Sequence, residues 1–304
     1  MMSASQFLGL TEVVLREGFI YGIMAMGVYI TYKILDFPDL SVDGTFPLGA
    51  CLAAVLIAAG INPWVVCIVA FAAGAAAGCV TGLLHVKLGI TDLLSGILVM
   101  TAMWSVNLIL MGGSAIKQFF NMDTIFNSGP VQLLPAGLYP HRQLIMVALI
   151  ALAVKLALDW YLSTKNGLLL RASGDNSQYV INLARDPGSM KIVGLAIGNG
   201  CTALSGCILA QLNQNADINS GKGMVVMALA SVIIGISVFH RLRFFRFVTM
   251  AILGSILYKA CLMAALQLGL PNSYLKLLMS VLLTMAIVSE RVNRKGEKHA
   301  AKQS

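Results

Sequence analysis

The chain has 304 residues, of which 58% are hydrophobic and only 11% are charged. Soluble domains carry about 25% charged and about 45–50% apolar residues, so this composition excludes a soluble globular domain, a disordered chain and a nucleic-acid-binding domain. The formal net charge of +8 is therefore first a signal of membrane topology, because basic residues concentrate on the cytoplasmic side of membrane proteins.

Long uncharged segments follow one another along the chain. No charged residue occurs from Gly44 through Val86, a run of 43 positions, whereas one membrane-spanning helix needs about 20 apolar residues. Because lipid offers no hydrogen-bond partner to the backbone, these segments are predicted to be helices. The sequence predicts an all-α, polytopic membrane bundle of about nine spans, some of them broken. The ranges are 17–35, 44–60, 63–84, 92–112, 143–162, 192–213, 223–240, 247–268 and 273–289.

The ends of the chain differ from its middle. Residues 1–16 are expected to form an interfacial segment, residues 17–290 the transmembrane domain, and residues 291–304 a basic cytoplasmic tail. No cleavable signal peptide is expected, because residues 1–16 lack a basic n-region. The segment 44–60 is short and polar at its start, which indicates a broken or re-entrant helix.

The distribution of Lys and Arg predicts the orientation of the bundle. With nine spans and the C-terminus inside, 14 of the 21 basic residues fall on the inner face and five on the outer face. This bias places the C-terminus in the cytoplasm. It places the N-terminus outside only if the number of spans is odd.

Small residues mark helix faces that can approach one another closely. Ala70, Gly74, Gly78 and Gly82 recur every fourth position, which gives one smooth helix face suited to close packing in lipid. The six cysteines lie in apolar spans without a CxxC pair, and the four histidines have no ligand spacing. A metal site is therefore not expected.

The predicted inner loop, residues 163–191, is long and contains helix signals. Asp175 or Asn176 can cap a short helix, and Pro187 followed by Gly188 is predicted to end it. A short cytoplasmic helix of this kind suits contact with a partner that works from inside the cell. An ordinary surface loop is the alternative.

Polar residues within or beside the spans are candidates for a translocation pathway, because polar backbone at membrane depth must be buried in protein or line a cavity. Two polar stretches, residues 36–46 and 210–223, border spans. Lys259 lies inside a predicted span. An ionisable residue at that depth is usually functional and usually pairs with an acidic residue, so Lys259 is a candidate site residue. The alternatives are capping, interhelical hydrogen bonds and snorkelling. The pathway candidates are Asp43, Thr45, Asn107, Asn199, Gln211, Asn213 and Lys259.

Catalytic motifs are absent from the sequence. It contains no GxxxxGK[ST] loop, HExxH or GxSxG, so the chain does not supply its own P-loop ATP site and an integral-membrane enzyme is disfavoured. The predicted spans contain few acidic residues, which weighs against ion-coupled transport. A self-contained secondary carrier or channel is the alternative to a translocator driven by another subunit.

Three stretches resemble a known family: residues 18–50, 171–211 and 253–278, including the motifs FPDLSVDGTF and RASGDN. They are similar to the permease subunit of bacterial ABC importers in the branched-chain amino acid permease superfamily. Within it, they resemble the branch described as tryptophan/tyrosine or uncharacterised transport permeases.

The resemblance implies partners and a mechanism. Two permease copies, expected as a homodimer in the bacterial cytoplasmic membrane, would form the pathway within lipid. Two cytosolic ATPase subunits would bind ATP and Mg and drive transport, while this chain would hold no cofactor. An extracytoplasmic binding protein or lipoprotein would deliver the solute, with an amino acid as the family-level expectation. The inner loop would carry the helix coupled to the ATPase, with candidates Arg171, Gly174, Asp175, Asn176, Arg185 and Asp186.

Overall fold

The computed structural model describes residues 4–133, 135–182, 186–239, 246–271 and 274–300. Within these ranges the chain is almost entirely helical, and a single antiparallel pair of three-residue strands joins two of its loops. The helices are α1 (Ala4–Val28), α2 (Val42–Ala58), α3 (Pro63–Val86), α4 (Asp92–Leu110), α5 (Arg142–Ser163), α6 (Lys165–Asp175), α7 (Ser177–Asn182), α8 (Pro187–Asn213), α9 (Met224–Phe239), α10 (Phe247–Gln267) and α11 (Leu275–Ala300).

The helix lengths confirm the predicted membrane bundle. Within the described ranges, seven helical segments are long and apolar enough to cross a membrane. Two shorter apolar helices, Val42–Ala58 and Leu277–Val288, correspond to the other two predicted segments. The first span covers Leu8–Ile34 and includes a π-helical turn at Tyr29–Ile34. Since α1 already begins at Ala4, helix is continuous through most of the segment that was expected to be interfacial.

The small-residue stripe of α3 packs against α8, as the spacing predicts. A methyl group added at Gly74 or Gly78 would collide with the carbonyl oxygen of Asn199 or Leu195, and one at Gly82 would lie 2.8 Å from the Cα of Ile192. Such close backbone approach replaces the hydrophobic driving force that helices lack in lipid. The backbones of α3 and α8 are therefore in close contact along this stripe.

α1 is held between α8 and α10 by hydrogen bonds as well as by packing. The hydroxyl of Ser205 donates to the carbonyl oxygen of Ile20 at 2.7 Å, and the hydroxyl of Ser255 donates to that of Gly18 at 2.7 Å. Buried serines bond to backbone because lipid provides no alternative partner. These contacts fix the depth of α1 relative to both neighbouring helices.

Large apolar side chains cover the outside of the bundle. Ile68 on α3, Ile109 on α4 and Trp160 on α5 are each about 70% exposed or more. In a soluble protein such a surface would aggregate, whereas in a membrane it contacts acyl chains. The exposed surfaces around Ile68, Ile109 and Trp160 therefore agree with a polytopic membrane protein.

Two of the apolar helices, α2 and α9, are short, and each follows an irregular segment. α2 has 17 residues and contains Pro47, and α9 has 16 residues; at 1.5 Å per residue each covers only about 25 Å of a core about 30 Å thick. Before α9, the strand β2 (Asn215–Asp217) pairs with β1 (Ile116–Gln118), and a 3-10 turn covers Ile218–Gly221. The segment 44–60, which is predicted to be a broken or re-entrant helix, forms the single short helix α2.

The predicted inner loop contains the two short helices α6 and α7. The side chain of Asn176 accepts a hydrogen bond from the backbone N–H of Gln178 at 3.1 Å, so Asn176 caps α7 as predicted. Pro187 was predicted to end a helix, but it begins α8. The physical reason is that proline lacks the N–H that the first helical turn leaves unpaired in any case.

Candidate functional site

A buried polar cluster joins α8 to the start of α2. The side-chain amide nitrogen of Asn199 donates to the Asp39 carboxylate at 2.6 Å, and its oxygen accepts from the hydroxyl groups of Thr45 at 2.7 Å and Ser41 at 3.1 Å. Asp39 also accepts from the backbone N–H of Ser41 at 2.8 Å. Each of these four side chains is at most 4% exposed. We call Asp39, Ser41, Thr45 and Asn199 the Asn199 cluster.

The hydrogen bonds of the Asn199 cluster hold α8 against the start of α2. In each of these hydrogen bonds a neutral N–H or O–H group donates to an oxygen of Asp39 or Asn199. Buried polar networks of this kind specify one arrangement, because each group left unpaired is costly. Thr45 and Asn199, two pathway candidates, are therefore brought together in the protein interior.

Asp43 joins α2 to the beginning of α9. Its two carboxylate oxygens accept hydrogen bonds from the backbone N–H groups of Gly223 at 3.0 Å and Val225 at 2.8 Å. The first N–H groups of a helix have no partner within the helix, and a carboxylate there also complements the helix dipole. Asp43 therefore fixes where the short α9 starts.

Asn107 reaches the same region from α4. Its side-chain nitrogen donates to the carbonyl oxygen of Gly44 at 3.1 Å, and the residue is fully buried. Because Gly44 follows Asp43, the two pathway candidates Asp43 and Asn107 tie α4, α2 and α9 together at one point.

Gln211 and Asn213 lie near the C-terminal end of α8. The side-chain oxygen of Gln211 accepts from the backbone N–H of Ile125 at 3.0 Å, and its nitrogen contacts the sulfur atoms of Cys67 at 3.3 Å and Cys207 at 3.4 Å. Gln211 thus attaches the loop after α4 to the α3–α8 pair. Asn213 is exposed as the last residue of α8.

Lys259 pairs with an acidic residue, as its position inside a predicted span indicated. Its ammonium group lies 2.7 Å from the Glu17 carboxylate on α1 and 4.3 Å from the ring centre of Tyr21. An ion pair and a cation–π contact both compensate the lost hydration of a charge within a span. The pair joins α1 to α10 and shares no residue with the Asn199 cluster.

The coupling candidates gather at one end of the bundle. A methyl group at Gly174 would collide with the carbonyl oxygen of Ile34 at the end of the first span, and one at Gly188 would meet Val86 at the end of α3. We call this end the basic end, because Lys33 lies at the end of the first span, Lys87 directly follows α3 and Lys165 begins α6. Arg171 and Asp175 line a cavity of about 220 Å³ with Tyr29 and Lys33.

Asp186 lies immediately before α8. The carboxylate of Asp186 accepts hydrogen bonds from the Ser189 hydroxyl at 2.8 Å and from the backbone N–H of Gly188 at 2.9 Å. These bonds, first that from the Ser189 side chain, lower the pKa of Asp186 below its ordinary value. Asp186 is thus the N-cap of α8, whereas Arg185 lies outside the described residues.

Sequence reasoning missed Asp39, Ser41 and Glu17 as individual residues. Asp39 and Ser41 lie in the polar stretch 36–46 that was singled out, and their Asp-x-Ser spacing is typical of a local side-chain turn. Nothing in the sequence pairs Glu17 with Lys259, because the two residues are 242 positions apart.

Comparison with known proteins agrees with this architecture. The model of a family described as branched-chain amino acid transport system / permease component matches residues 10–288. The chain is 40% identical over 291 residues to a tyrosine transport system permease protein of Clostridioides difficile, covering 95% of this chain and 94% of that protein. It is 31% identical over 270 residues to an uncharacterized protein of Rickettsia prowazekii, covering 88% and 92%.

A more distant relative points the same way. The chain is 24% identical over 228 residues to the ribose import permease protein RbsC of Escherichia coli, covering 73% of this chain and 67% of that protein. No solved structure matches the chain. A bundle of apolar helices and a family match over residues 10–288 lead to one conclusion: the chain belongs to the family of branched-chain amino acid transport system permease components.

Proposed function

We propose that this chain is the membrane-spanning permease subunit of an ATP-driven ABC importer for a small solute. The observation that carries the proposal is the family match over residues 10–288, which covers every membrane-spanning helix from α2 to α10 and nearly all of the first span. The sequence has no P-loop of its own, so a separate ATPase must bind ATP and Mg.

The proposed assembly has three kinds of component. Two copies of this chain form a homodimer in the bacterial cytoplasmic membrane, with the C-terminus in the cytoplasm. Two ATPase subunits dock on the basic end, and an extracytoplasmic binding protein or lipoprotein delivers the solute at the opposite end. The excess of Lys and Arg at the basic end supports this orientation.

We assign the contact with the ATPase to α6, α7 and the start of α8. These elements lie where the first span and α3 end. A displacement of α6 is therefore transmitted to the first span through the backbone contact between Gly174 and Ile34. ATP binding would close the ATPase dimer, move this segment and change the side on which the cavity opens. The candidates are Arg171, Gly174, Asp175, Asn176, Arg185 and Asp186.

We assign the moving parts of the pathway to the short helices α2 and α9. Asp43 and Asn107 connect these helices to α4, and Thr45 and Asn199 connect α2 to α8. Discontinuous helices at membrane depth are where transporters place their solute sites. Gln211, Asn213 and Lys259 lie outside this junction and are proposed to border the pathway or stabilise it.

An amino acid is the proposed solute. The relative from Clostridioides difficile is named as a tyrosine transport system permease, and the family description names branched-chain amino acids. Because a binding protein can supply much of the affinity and selectivity, the permease itself needs few charges along its pathway.

The ATPase requirement can be tested in cells. Deleting the gene of the partner ATPase is expected to abolish amino acid uptake, and a plasmid copy should restore it. As a matched control, an ATPase whose P-loop lysine is replaced should assemble but fail to restore uptake. Uptake that survives the deletion would instead indicate a self-contained carrier or channel and would contradict the proposal.

The coupling segment can be tested by charge reversal. Arg171→Glu is expected to weaken co-purification of the ATPase, because Arg171 is exposed on α6 at the basic end. Lys222→Glu, at an exposed basic residue on the turn before α9, is the matched control and should leave co-purification unchanged. Normal co-purification of Arg171→Glu would contradict the assigned contact.

A further inference from the structure

A small cavity lies at the junction of α2, α4 and the turn before α9. It has a volume of about 190 Å³, below the range of about 300–1,000 Å³ that is usual for drug-sized ligands. A single small solute is therefore the largest ligand class that suits it. Asp43, Pro47, Met100, Trp104, Asn107 and Lys222 are among the residues that line it.

One polar atom at this cavity has no partner. Asn107 is 0% exposed, and its side-chain nitrogen is engaged by the carbonyl oxygen of Gly44 at 3.1 Å. Its side-chain oxygen has no hydrogen-bond partner among the residues that the structure describes. A buried acceptor left unpaired is costly, so native proteins satisfy such atoms with a donor. The free acceptor points to a ligand that donates a hydrogen bond.

Charges of both signs border the same cavity. The Asp43 carboxylate lies at the start of α9, held by the backbone N–H groups of Gly223 and Val225. Lys222 contributes an exposed side chain on the preceding turn. A zwitterion presents an ammonium group to acceptors such as the Asp43 and Asn107 oxygens, and a carboxylate to an ammonium group such as that of Lys222.

The rest of the lining is apolar. Pro47, Met100 and the Trp104 side chain provide it, and Trp104 is 49% exposed, so its ring borders the mouth of the cavity. Aromatic and thioether groups favour contact with an aromatic or large aliphatic side chain. A polar zwitterionic head and an apolar side chain together describe one chemical class.

We propose that this cavity is a permease-borne binding subsite for a free α-amino acid with a large apolar side chain. The Asn107 oxygen and the Asp43 carboxylate receive the ammonium group, Lys222 binds the carboxylate, and Met100 and Trp104 contact the side chain. The inference rests on the proposed function, since a solute reaches this exposed face of α4 only where α4 borders the pathway rather than lipid. A lipid acyl chain is the competing occupant.

The site can be tested by equilibrium binding to the full-length permease in lipid nanodiscs, without binding protein or ATPase. The probe is tritiated L-tyrosine, and the competitors are tyramine, which lacks the carboxylate, and 3-(4-hydroxyphenyl)propionate, which lacks the amine. Wild-type protein is expected to show saturable binding that both analogues compete for at least about tenfold more weakly than unlabelled L-tyrosine.

Variants separate the two halves of the site. Lys222→Met is expected to weaken L-tyrosine binding about tenfold while leaving tyramine binding unchanged, because only the carboxylate contact is lost. Asn107→Leu is expected to weaken binding of L-tyrosine and tyramine but not of the propionate. Trp160→Ala, a highly exposed tryptophan on α5, is the matched control and should bind as wild type does.

Three outcomes would overturn the site: no saturable binding by wild type, unchanged binding by Lys222→Met, or equal binding of all three compounds, which would indicate an unspecific apolar groove occupied by lipid. Lys222 is exposed, so the Lys222→Met variant keeps the test valid even if Asn107→Leu fails to fold. Amino acid uptake by the complete transporter is measured in parallel. If uptake remains ATPase-dependent while binding fails, only the subsite is wrong; if uptake is ATPase-independent, the proposed function itself is wrong.

Discussion

The Asn199 cluster makes a specific prediction about stability. Replacing Asn199 with leucine keeps the side chain close to its original shape but removes its hydrogen bonds to Asp39, Thr45 and Ser41. The bond to Asp39 contributes about 1.5 kcal/mol, the upper end of the range for an intramolecular hydrogen bond. The two hydroxyl bonds contribute about 0.6 kcal/mol each, the average for interhelical bonds in a membrane protein. Asn199→Leu should therefore lower the free energy of unfolding by about 3 kcal/mol.

Two further variants isolate this effect. Thr45→Val removes one hydroxyl bond to Asn199 and should cost about 0.6 kcal/mol. Thr202→Val is the matched control, because Thr202 is equally buried on α8 but bonds only within its own helix, to the carbonyl oxygen of Gly198 at 3.0 Å. Because a Thr hydroxyl bonded to the carbonyl four residues back adds little stability to its own helix, Thr202→Val should change the free energy of unfolding by less than about 0.5 kcal/mol.

The assay is reversible unfolding of the purified chain in mixed micelles, with increasing SDS and helix content followed by circular dichroism. The order Asn199→Leu, Thr45→Val, Thr202→Val, from most to least destabilised, is expected. If Asn199→Leu and Thr202→Val unfold together, the cluster does not hold α2 against α8, and the reasoning from its geometry is wrong.

Two other predictions concern helix packing. Gly78→Ala should destabilise the α3–α8 pair by about 1–3 kcal/mol, because the added methyl group collides with the Leu195 carbonyl oxygen. Gly9→Ala, with open space around it, is the control, and equal unfolding midpoints would contradict the packing. Lys259→Met and Glu17→Gln should each destabilise the chain, but the double variant by less than their sum, with a coupling energy of about 1–2 kcal/mol for a partly buried pair. Additive effects in this double-mutant cycle would show that the ion pair contributes no stability.

Composition and periodicity predicted the helical bundle, because the hydrophobicity and the spacing of small residues in each segment indicate whether that segment lies in lipid and which of its faces packs. A run of 43 uncharged positions after Asp43 can only be accommodated by apolar helices in lipid. The spacing of Gly74, Gly78 and Gly82 likewise places three glycines on one helix face whatever the partner is. Local capping was also readable, as the role of Asn176 at α7 shows.

The partners of the buried polar groups were not readable. Asn199 bonds to Asp39 across 160 positions of sequence, and a single chain gives no signal for such a pair. Pro187 shows a different failure: proline is compatible with either a helix end or a first turn, and only the Asp186 cap decides in favour of the first turn. The site was therefore only partly predicted, because its hydrogen bonds join residues far apart in sequence and because proline is compatible with both a helix end and a first helical turn.

We expect this chain to move a solute only when a separate ATPase drives it. The most direct measurement is uptake of a labelled amino acid into proteoliposomes that contain the purified permease alone, or the permease with its ATPase, binding protein and ATP. Uptake is expected only in the complete mixture with hydrolysable ATP, and none when a non-hydrolysable analogue replaces it. Sustained uptake by the permease alone, down a gradient and without nucleotide, would contradict ATPase-driven transport.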